Sequence, residues 1–225
     1  MKILVIEDEK ELRKSIVSYL AHEGYLCESA STFDEAKEKL AAYKYDCLVI
    51  DINLPGGTGL DLIREFKKTS SEAGIIIISA RNALEDKLTG LEIGADDYLT
   101  KPFHLPELNA RIKSIIRRRH FKGNNEIIFN EIKVLPDSRE VYIFDTPVVL
   151  TAKEYDLLLF FLSNKGRVVS KDSIAEHLWG DYIDQADSFD FIYTHIKNLR
   201  KKMMQYGSKD YISSVYGIGY KFLNS

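Results

Sequence analysis

Cysteine is scarce: 225 residues hold two, Cys27 and Cys47. Both sit in apolar, strand-like runs, with no paired spacing and no histidine beside them. That excludes a disulfide-stapled scaffold or a Cys/His metal site and leaves two buried thiols, as a reducing cytoplasm would keep them. Long apolar stretches are missing too. Runs such as Ile75–Ile78 are far too short to cross a bilayer, and Met1 leads directly into a charged, strand-forming segment rather than a targeting signal. The expectation is a cytoplasmic protein with no membrane partner. There is no strong charge excess of either sign: 31 Lys and Arg stand against 34 Asp and Glu, a net charge of −3. Any nucleic-acid-binding surface must therefore be local. Internal repeats and low-complexity segments are absent, and no glycine-rich phosphate loop follows the first strand, which runs instead into Glu7-Asp8-Glu9.

The remaining composition, 45% hydrophobic and 29% charged, is that of a globular protein long enough for two domains. In the first half, short apolar runs alternate with amphipathic segments. Strands are predicted at Ile3–Ile6, Leu26–Ala30, Leu48–Ile50, Ile75–Ile78 and Tyr98–Thr100. Helices are predicted at Glu11–His22, Phe33–Ala42, Gly59–Lys68, Leu84–Ile93 and Leu105–Arg118. Gly24, Gly74 and Gly94 stand where helix-ending turns are expected. Five strands joined by helical crossovers make a parallel, doubly wound α/β domain. The polar stretch 120–125 is the expected linker between domains at 1–119 and 126–225. Beyond it, short β pieces with turns at Asn130-Glu131, Pro136-Asp137-Ser138 and Asp145-Thr146-Pro147 suggest a small antiparallel sheet. Helical patterns follow at Ala152–Leu162, Lys171–Trp179 and Ser188–Met204, then a closing hairpin over Tyr211–Leu223.

Ligands of open parallel sheets bind beyond the carboxyl ends of the strands. Those ends carry Glu7-Asp8, Asp51, Ser79-Ala80 and Thr100-Lys101-Pro102. Three carboxylates brought together repel one another unless a cation lies between them. Hard oxygen donors on short loops suit Mg2+. With Lys101 to offer positive charge and Ser79 a hydroxyl, the set fits in-line phosphoryl transfer onto a carboxylate. A solvated acidic rim or a weak divalent site would explain two acids at one strand end, but not five matched residues at four.

Glu7-Asp8, Asp51 followed by Pro55, Ser79-Ala80-Arg81, and Gly94-Ala95-Asp96-Asp97-Tyr98 leading to Lys101-Pro102-Phe103 closely resemble the signature of response-regulator receiver domains. The resemblance implies a flavodoxin-like fold. It also implies that Asp51 accepts a phosphoryl group from a sensor histidine kinase. Glu7, Asp8, Asp51 and the Asn53 carbonyl would hold Mg2+, Ser79 and Tyr98 would form a switch pair, and the bond before Pro102 would be cis. Lys87, Asp96, Asp97, Glu107, Arg111 and Arg118 match charges that pair across the two-fold axis of active dimers in the OmpR/PhoB class; alone they would be a solvated mixed-charge face.

In the second half, projecting Ser188–Met203 at about 100° per residue puts Phe189, Ile192, Ile196, Leu199 and Met203 on one core-facing stripe. The opposite arc carries Asp190, Thr194, Lys197, Asn198 and Lys201. Tyr193 and Arg200 flank it on one side, Phe191 and Lys202 on the other. By itself this is equally an amphipathic helix whose last turn suits the macrodipole and a recognition helix for the major groove. Leu150-Thr151-Ala152-Lys153-Glu154-Tyr155, Gly166-Arg167-Val168-Val169-Ser170, Leu178-Trp179, His195-Ile196 with Leu199-Arg200-Lys201-Lys202, and Gly217-Ile218-Gly219-Tyr220 decide between them. They resemble the α+β winged helix-turn-helix effector domain of the OmpR/PhoB class. Thr194, Lys197, Asn198 and Lys201 are then expected in the groove, with Arg200, Lys202 and His195 at phosphates or the groove edge. Trp179 is expected to pack in the core or at a helix end. Tyr216 takes a wing position that is often Arg, Tyr193 stands where Asp is usual, and Asp190 and Phe191 are unusual early in such a helix. The function implied is phosphorylation-controlled transcription regulation rather than catalysis, by a homodimer on a direct-repeat DNA operator. The competing readings are a Mg2+-dependent phosphoryl-transfer enzyme, which would need catalytic groups the second half does not offer, and an interaction adaptor, which would not need a basic helix.

Overall fold

A computed structural model describes the chain except for residues 69–72, 81–83, 122, 125, 181–189 and 225, and for 84–87, 120 and 121 it describes the backbone alone. Two compact units emerge, Met1–Gly123 and Asn124–Ser225.

The first unit begins with β1 (Lys2–Ile6), α1 (Lys10–His22), β2 (Leu26–Ala30), α2 (Phe33–Ala42) and β3 (Cys47–Asp51). A two-residue ladder, β4 (Asn53–Leu54) and β5 (Gly57–Thr58), precedes α3 (Gly59–Lys67). Then come β6 (Gly74–Ser79), α4 (Leu84–Glu92), β7 (Asp97–Thr100) and α5 (Leu105–Phe121). The main sheet is parallel throughout, in the order β2-β1-β3-β6-β7. Its central strands are apolar on consecutive residues because both faces are covered. Leu4, Ile6, Leu48, Ile50, Ile75 and Ile77 join Ala36 of α2 and Leu62, Ile63 and Phe66 of α3 in one core. The alternate residues Ile3, Val5, Val49, Ile76 and Ile78 are equally buried and point the other way, toward α1 and α5. Thr32 caps α2 through the Glu35 N–H, and Thr58 caps α3 through the Asp61 N–H.

Two expectations are corrected. Gly24 and Gly94 adopt positive φ, 89° and 105°, but Gly74 does not end a helix: it opens β6. It needs no side chain because a Cβ there would lie 2.2 Å from Ile115 Cγ2 of α5. Helix α5 also runs past Arg118 to Phe121 and takes up His120 and Phe121 of the expected linker. Positive side chains at Arg117, Arg118 and Arg119 suit the carboxyl end of a helix dipole, so nothing there stops the helix.

The second unit opens with an antiparallel sheet in the order β11-β10-β9-β8, formed by β8 (Ile127–Phe129), β9 (Ile132–Leu135), β10 (Glu140–Ile143) and β11 (Thr146–Pro147). Asn130, Arg139 and Asp145 turn with φ of 51°, 57° and 61°, at or one residue beyond the predicted turns. Next come α6 (Ala152–Ser163), β12 (Val168–Ser170), α7 (Lys171–Trp179), α8 (Asp190–Gln205), β13 (Ile212–Val215) and β14 (Gly219–Phe222). A capping box of Thr151 and Glu154 starts α6, and Ser170 caps α7. The closing hairpin pairs with β12, a strand missing from the sequence reading, in the order β12-β14-β13.

Candidate functional site

Strands β1, β3, β6 and β7 end side by side, so the residues that leave them converge. Ligand oxygens of Glu7, Asp8 and Asp51 lie within 4.8 Å of one another. The Lys101 Nζ bridges two of these acids, 2.7 Å from Glu7 Oε2 and 2.5 Å from Asp51 Oδ2. The other Asp51 oxygen, Oδ1, accepts the Asn53 N–H at 3.1 Å. Glu7 is fully buried, Asp51 is 4% exposed, and Asp8 is open to solvent. Arg13 in α1 steadies the loop after β1 by donating to the Glu7 and Asp8 carbonyls. The Lys101–Pro102 bond is cis, and the Lys101 N–H donates to the Ser79 carbonyl at 2.8 Å, which ties the ends of β6 and β7 together.

Burial pushes the Glu7 carboxyl above its ordinary range; the Lys101 hydrogen bond offsets part of this, while the Asp51 charge adds to it. For Lys101, burial alone would lower the pKa, yet its two carboxylate partners hold it above that of an ordinary lysine. One ammonium cannot neutralise three carboxylates, and the uncompensated charge on hard oxygen donors could bind a divalent metal ion. Ser79 is fully buried at the end of β6. Tyr98 in β7 is half-buried against the α2/α3 core, and its ring lies beside Gly90 of α4.

The expected dimer face carries ion pairs within the chain. Arg111 contacts Asp97 at 2.8 Å and Glu107 at 2.9 Å. Asp96 makes a two-pronged pair with Arg119 and also accepts the Ile75 N–H. Arg118 is exposed. Lys87 lies in α4, its side chain outside the described residues. Sequence reasoning passed over Arg119, whose charge finds its partner only because α5 continues that far.

In the second unit, Ile192, Ile196, Leu199 and Met203 form the buried stripe of α8, while Ser188 and Phe189 lie outside the described residues. Asp190, Thr194, Lys197, Asn198 and Lys201 are exposed on the opposite arc. The flanks make pairs within the chain. Arg200, expected at a phosphate, pairs with Asp210, its Nε 3.0 Å from Oδ2. Lys202, given the same role, is 2.6 Å from Glu154 Oε2. His195 packs against Trp179, with ring centroids 5.4 Å apart, and Phe191 meets the same indole edge to face. Trp179 thus packs at the end of α7, with the Lys153 ammonium over its ring. At the hairpin tip Tyr216 is fully exposed, 103%, beside Gly217, whose φ is 73°.

Comparison with known proteins agrees with this architecture. The family described as "Response regulator receiver domain" matches residues 3–113, and "Transcriptional regulatory protein, C terminal" matches residues 145–222. Among curated relatives, the transcriptional regulatory protein PmrA of Pectobacterium parmentieri is 35% identical over 222 residues, covering 98% of this chain and 96% of its own. The alkaline phosphatase synthesis transcriptional regulatory protein PhoP of Bacillus subtilis is 34% identical, covering 98% and 95%. Among solved structures, the receiver domain of Francisella response regulator 1452 matches 52% of this chain and 97% of its own, at 34% identity and a TM-score of 0.51. The chain belongs to the OmpR/PhoB class of two-component response regulators: a flavodoxin-like receiver followed by a winged-helix, DNA-binding effector domain that regulates transcription.

Proposed function

We propose that Asp51 is the phosphoacceptor of this regulator and that its phosphorylation controls operator binding. The observation that carries the reading is the Lys101 ammonium bridging Asp51 and Glu7 in a pocket of three carboxylates. An Asp51 oxygen would attack the phosphorus of a phosphohistidine on a sensor kinase. The O–P bond forms as the P–N bond breaks, and the electron pair returns to the imidazole nitrogen, which takes up a proton. Glu7, Asp8, Asp51 and the Asn53 carbonyl would hold Mg2+, which supplies charge neutralisation at the transferring oxygens. Lys101 stands close enough to follow the new phosphoryl oxygens once Asp51 is esterified. Ser79 would donate a hydrogen bond to the phosphoryl group, and Tyr98 would move with it.

That movement would favour a two-fold receiver dimer through Lys87, Asp96, Asp97, Glu107, Arg111 and Arg118, an isologous patch on both partners. In the dimer Arg111 and Asp96 would exchange or extend their present pairs to the other chain. Two effector domains would then bind a direct-repeat operator, with half-sites about 10–11 bp apart on one face of the DNA. Thr194, Lys197, Asn198 and Lys201 would meet the major groove, Asn198 being suited to adenine, and Tyr216 would approach from the wing.

The site assignment is tested by intact-mass analysis after incubation with a small-molecule phosphodonor and Mg2+. The wild type gains one phosphoryl group, and the gain requires Mg2+. Asp51→Asn keeps the shape of the side chain but not the nucleophile, and should gain none. Equal labelling of the two proteins would overturn the assignment.

A further inference from the structure

The two flanks of α8 are not equivalent to its outer arc. Arg200, on one side, is held by Asp210 just before β13. Lys202, on the other, reaches back to the start of α6. There its ammonium lies 2.6 Å from Glu154 Oε2 and 3.2 Å from the Val149 carbonyl. The same Glu154 oxygen accepts the Thr151 N–H at 2.8 Å, and the Thr151 hydroxyl in turn accepts the Glu154 N–H. The Glu154 side chain is 4% exposed against 34% for Lys202. One buried carboxylate oxygen thus serves at once as the capping group of α6 and as the anchor for the last turn of α8.

We infer that Lys202 is a positioning residue for DNA recognition: through Glu154 it fixes the rotation and depth of α8, and it does not itself grip phosphate. The inference rests on the reading that α8 enters the major groove. Asn198 lies one helical turn before Lys202, on the same side of the arc, and Lys201 is its immediate neighbour, so slack at the Lys202 anchor is passed directly to the groove-facing side chains. A buried carboxylate that loses its cation has reason to seek another partner, and the capping geometry would loosen with it.

The two roles differ in their salt dependence. A phosphate contact releases counterions, so its removal flattens the plot of log affinity against log salt by about one unit. A positioning residue lowers affinity and base discrimination but leaves that slope alone. The test uses the full chain, an operator selected from random DNA, and point variants of that operator, titrated at several salt concentrations. Glu154→Gln is the informative change, because glutamine still completes a capping box while its charge is gone. Lys202→Gln and Glu154→Gln should each weaken operator binding about tenfold, mid-range for members of one ion-pair network. Both should keep the wild-type slope. The double variant should be no weaker than either single one, and Lys202→Arg should restore binding. Lys201→Gln, on the outer arc, should flatten the slope by about one unit.

If Glu154→Gln binds as tightly as wild type, or more tightly, while Lys202→Gln flattens the slope by about one unit, Lys202 contacts phosphate and the inference is overturned. Failure of the underlying reading looks different. The wild type would bind, yet Asn198→Ala and Lys201→Gln would leave affinity, base preference and slope unchanged. In that case α8 is not the groove element, and the positioning role falls with it.

Discussion

A single added methyl at Gly59 should disturb the acidic pocket. It begins α3, and its N–H donates to the Ile52 carbonyl at 2.8 Å. A Cβ there would lie 2.1 Å from the Asp51 carbonyl oxygen and 2.9 Å from Ile50 Cγ2. Ordinary van der Waals separation is about 3.5 Å, so Gly59→Ala must push the end of β3 and the start of α3 apart by about 1.4 Å. Both neighbours belong to β3, which pairs with β1 on one side and β6 on the other, and neither can yield as the end of a flexible side chain would. Overpacking of this kind costs about 3 kcal/mol, the upper part of its usual range. An unfolding entropy of about 2.1 cal/mol/K per residue, taken over the Met1–Gly123 unit, converts that to a fall of about 12 °C in the receiver's Tm. Calorimetry of the full chain reads this as a shift of the receiver transition. Phosphodonor labelling should fall as well, because the displaced residue is Asp51 itself. Gly217→Ala is the control: it lies in the other unit, where a Cβ meets nothing within 4 Å. It should leave the receiver transition in place. A receiver Tm within about 3 °C of wild type in Gly59→Ala, with normal labelling, would refute the packing argument.

Three further outcomes follow from the charges and thiols. Burial raises the Glu154 pKa, but Lys202 and the Thr151 donors outweigh it and hold the carboxyl below its ordinary value. Its stabilising contribution is therefore full above the unfolded pKa and is lost as pH falls through the lower folded one, so the stability gap between wild type and Glu154→Gln should close on acidification; a constant gap contradicts this. Of the two thiols expected to be buried, Cys47 is and Cys27, near the start of the edge strand β2, is only half-buried; burial still pushes the Cys27 thiol up to about 12 and raises Cys47 further. At pH 8 that leaves Cys27 about a thousandfold less thiolate than a free cysteine, so thiol reagents should modify the native protein very slowly and two equivalents should react once it is unfolded; rapid native labelling would contradict it. Arg111→Glu puts three acids together with Asp97 and Glu107, and analytical ultracentrifugation should find phosphorylated wild type dimeric and the phosphorylated variant monomeric; equal dimerisation would remove this face from the mechanism.

The receiver was legible in the sequence because parallel strands covered on both faces are continuous apolar runs, and the polar residues that follow them mark the binding edge. Glu7, Asp8, Asp51, Ser79 and Lys101 could be picked out by that logic alone, and the structure brings Lys101 onto two of the acids. Turns were legible where Asn130 and Asp145 adopt the left-handed conformation their side chains tolerate. What escaped was everything settled by contacts between distant segments. Val168–Ser170 is too short to show a period, and it is a strand because β14 pairs with it. The sequence places the end of α5 early because the polar Gly/Asn stretch that follows shows no period, whereas Arg119 has Asp96 to bind. Projection gives the exposed arc of α8 but not the pairs its flanks make with Glu154 and Asp210, which come from segments far away in sequence. The Thr151–Glu154 capping pattern was readable, but its second use as an anchor for Lys202 was not.

In the proposed function, a phosphoryl group on Asp51 governs DNA binding by the effector domain. Its most direct test is the affinity of the full chain for a selected direct-repeat operator, measured with and without prior treatment by phosphodonor and Mg2+, in wild type and in Asp51→Asn. Treatment should tighten wild-type binding and steepen its dependence on protein concentration, as dimerisation requires, while Asp51→Asn should not respond. Equal affinity before and after stoichiometric phosphorylation, or an equal response from Asp51→Asn, would contradict it.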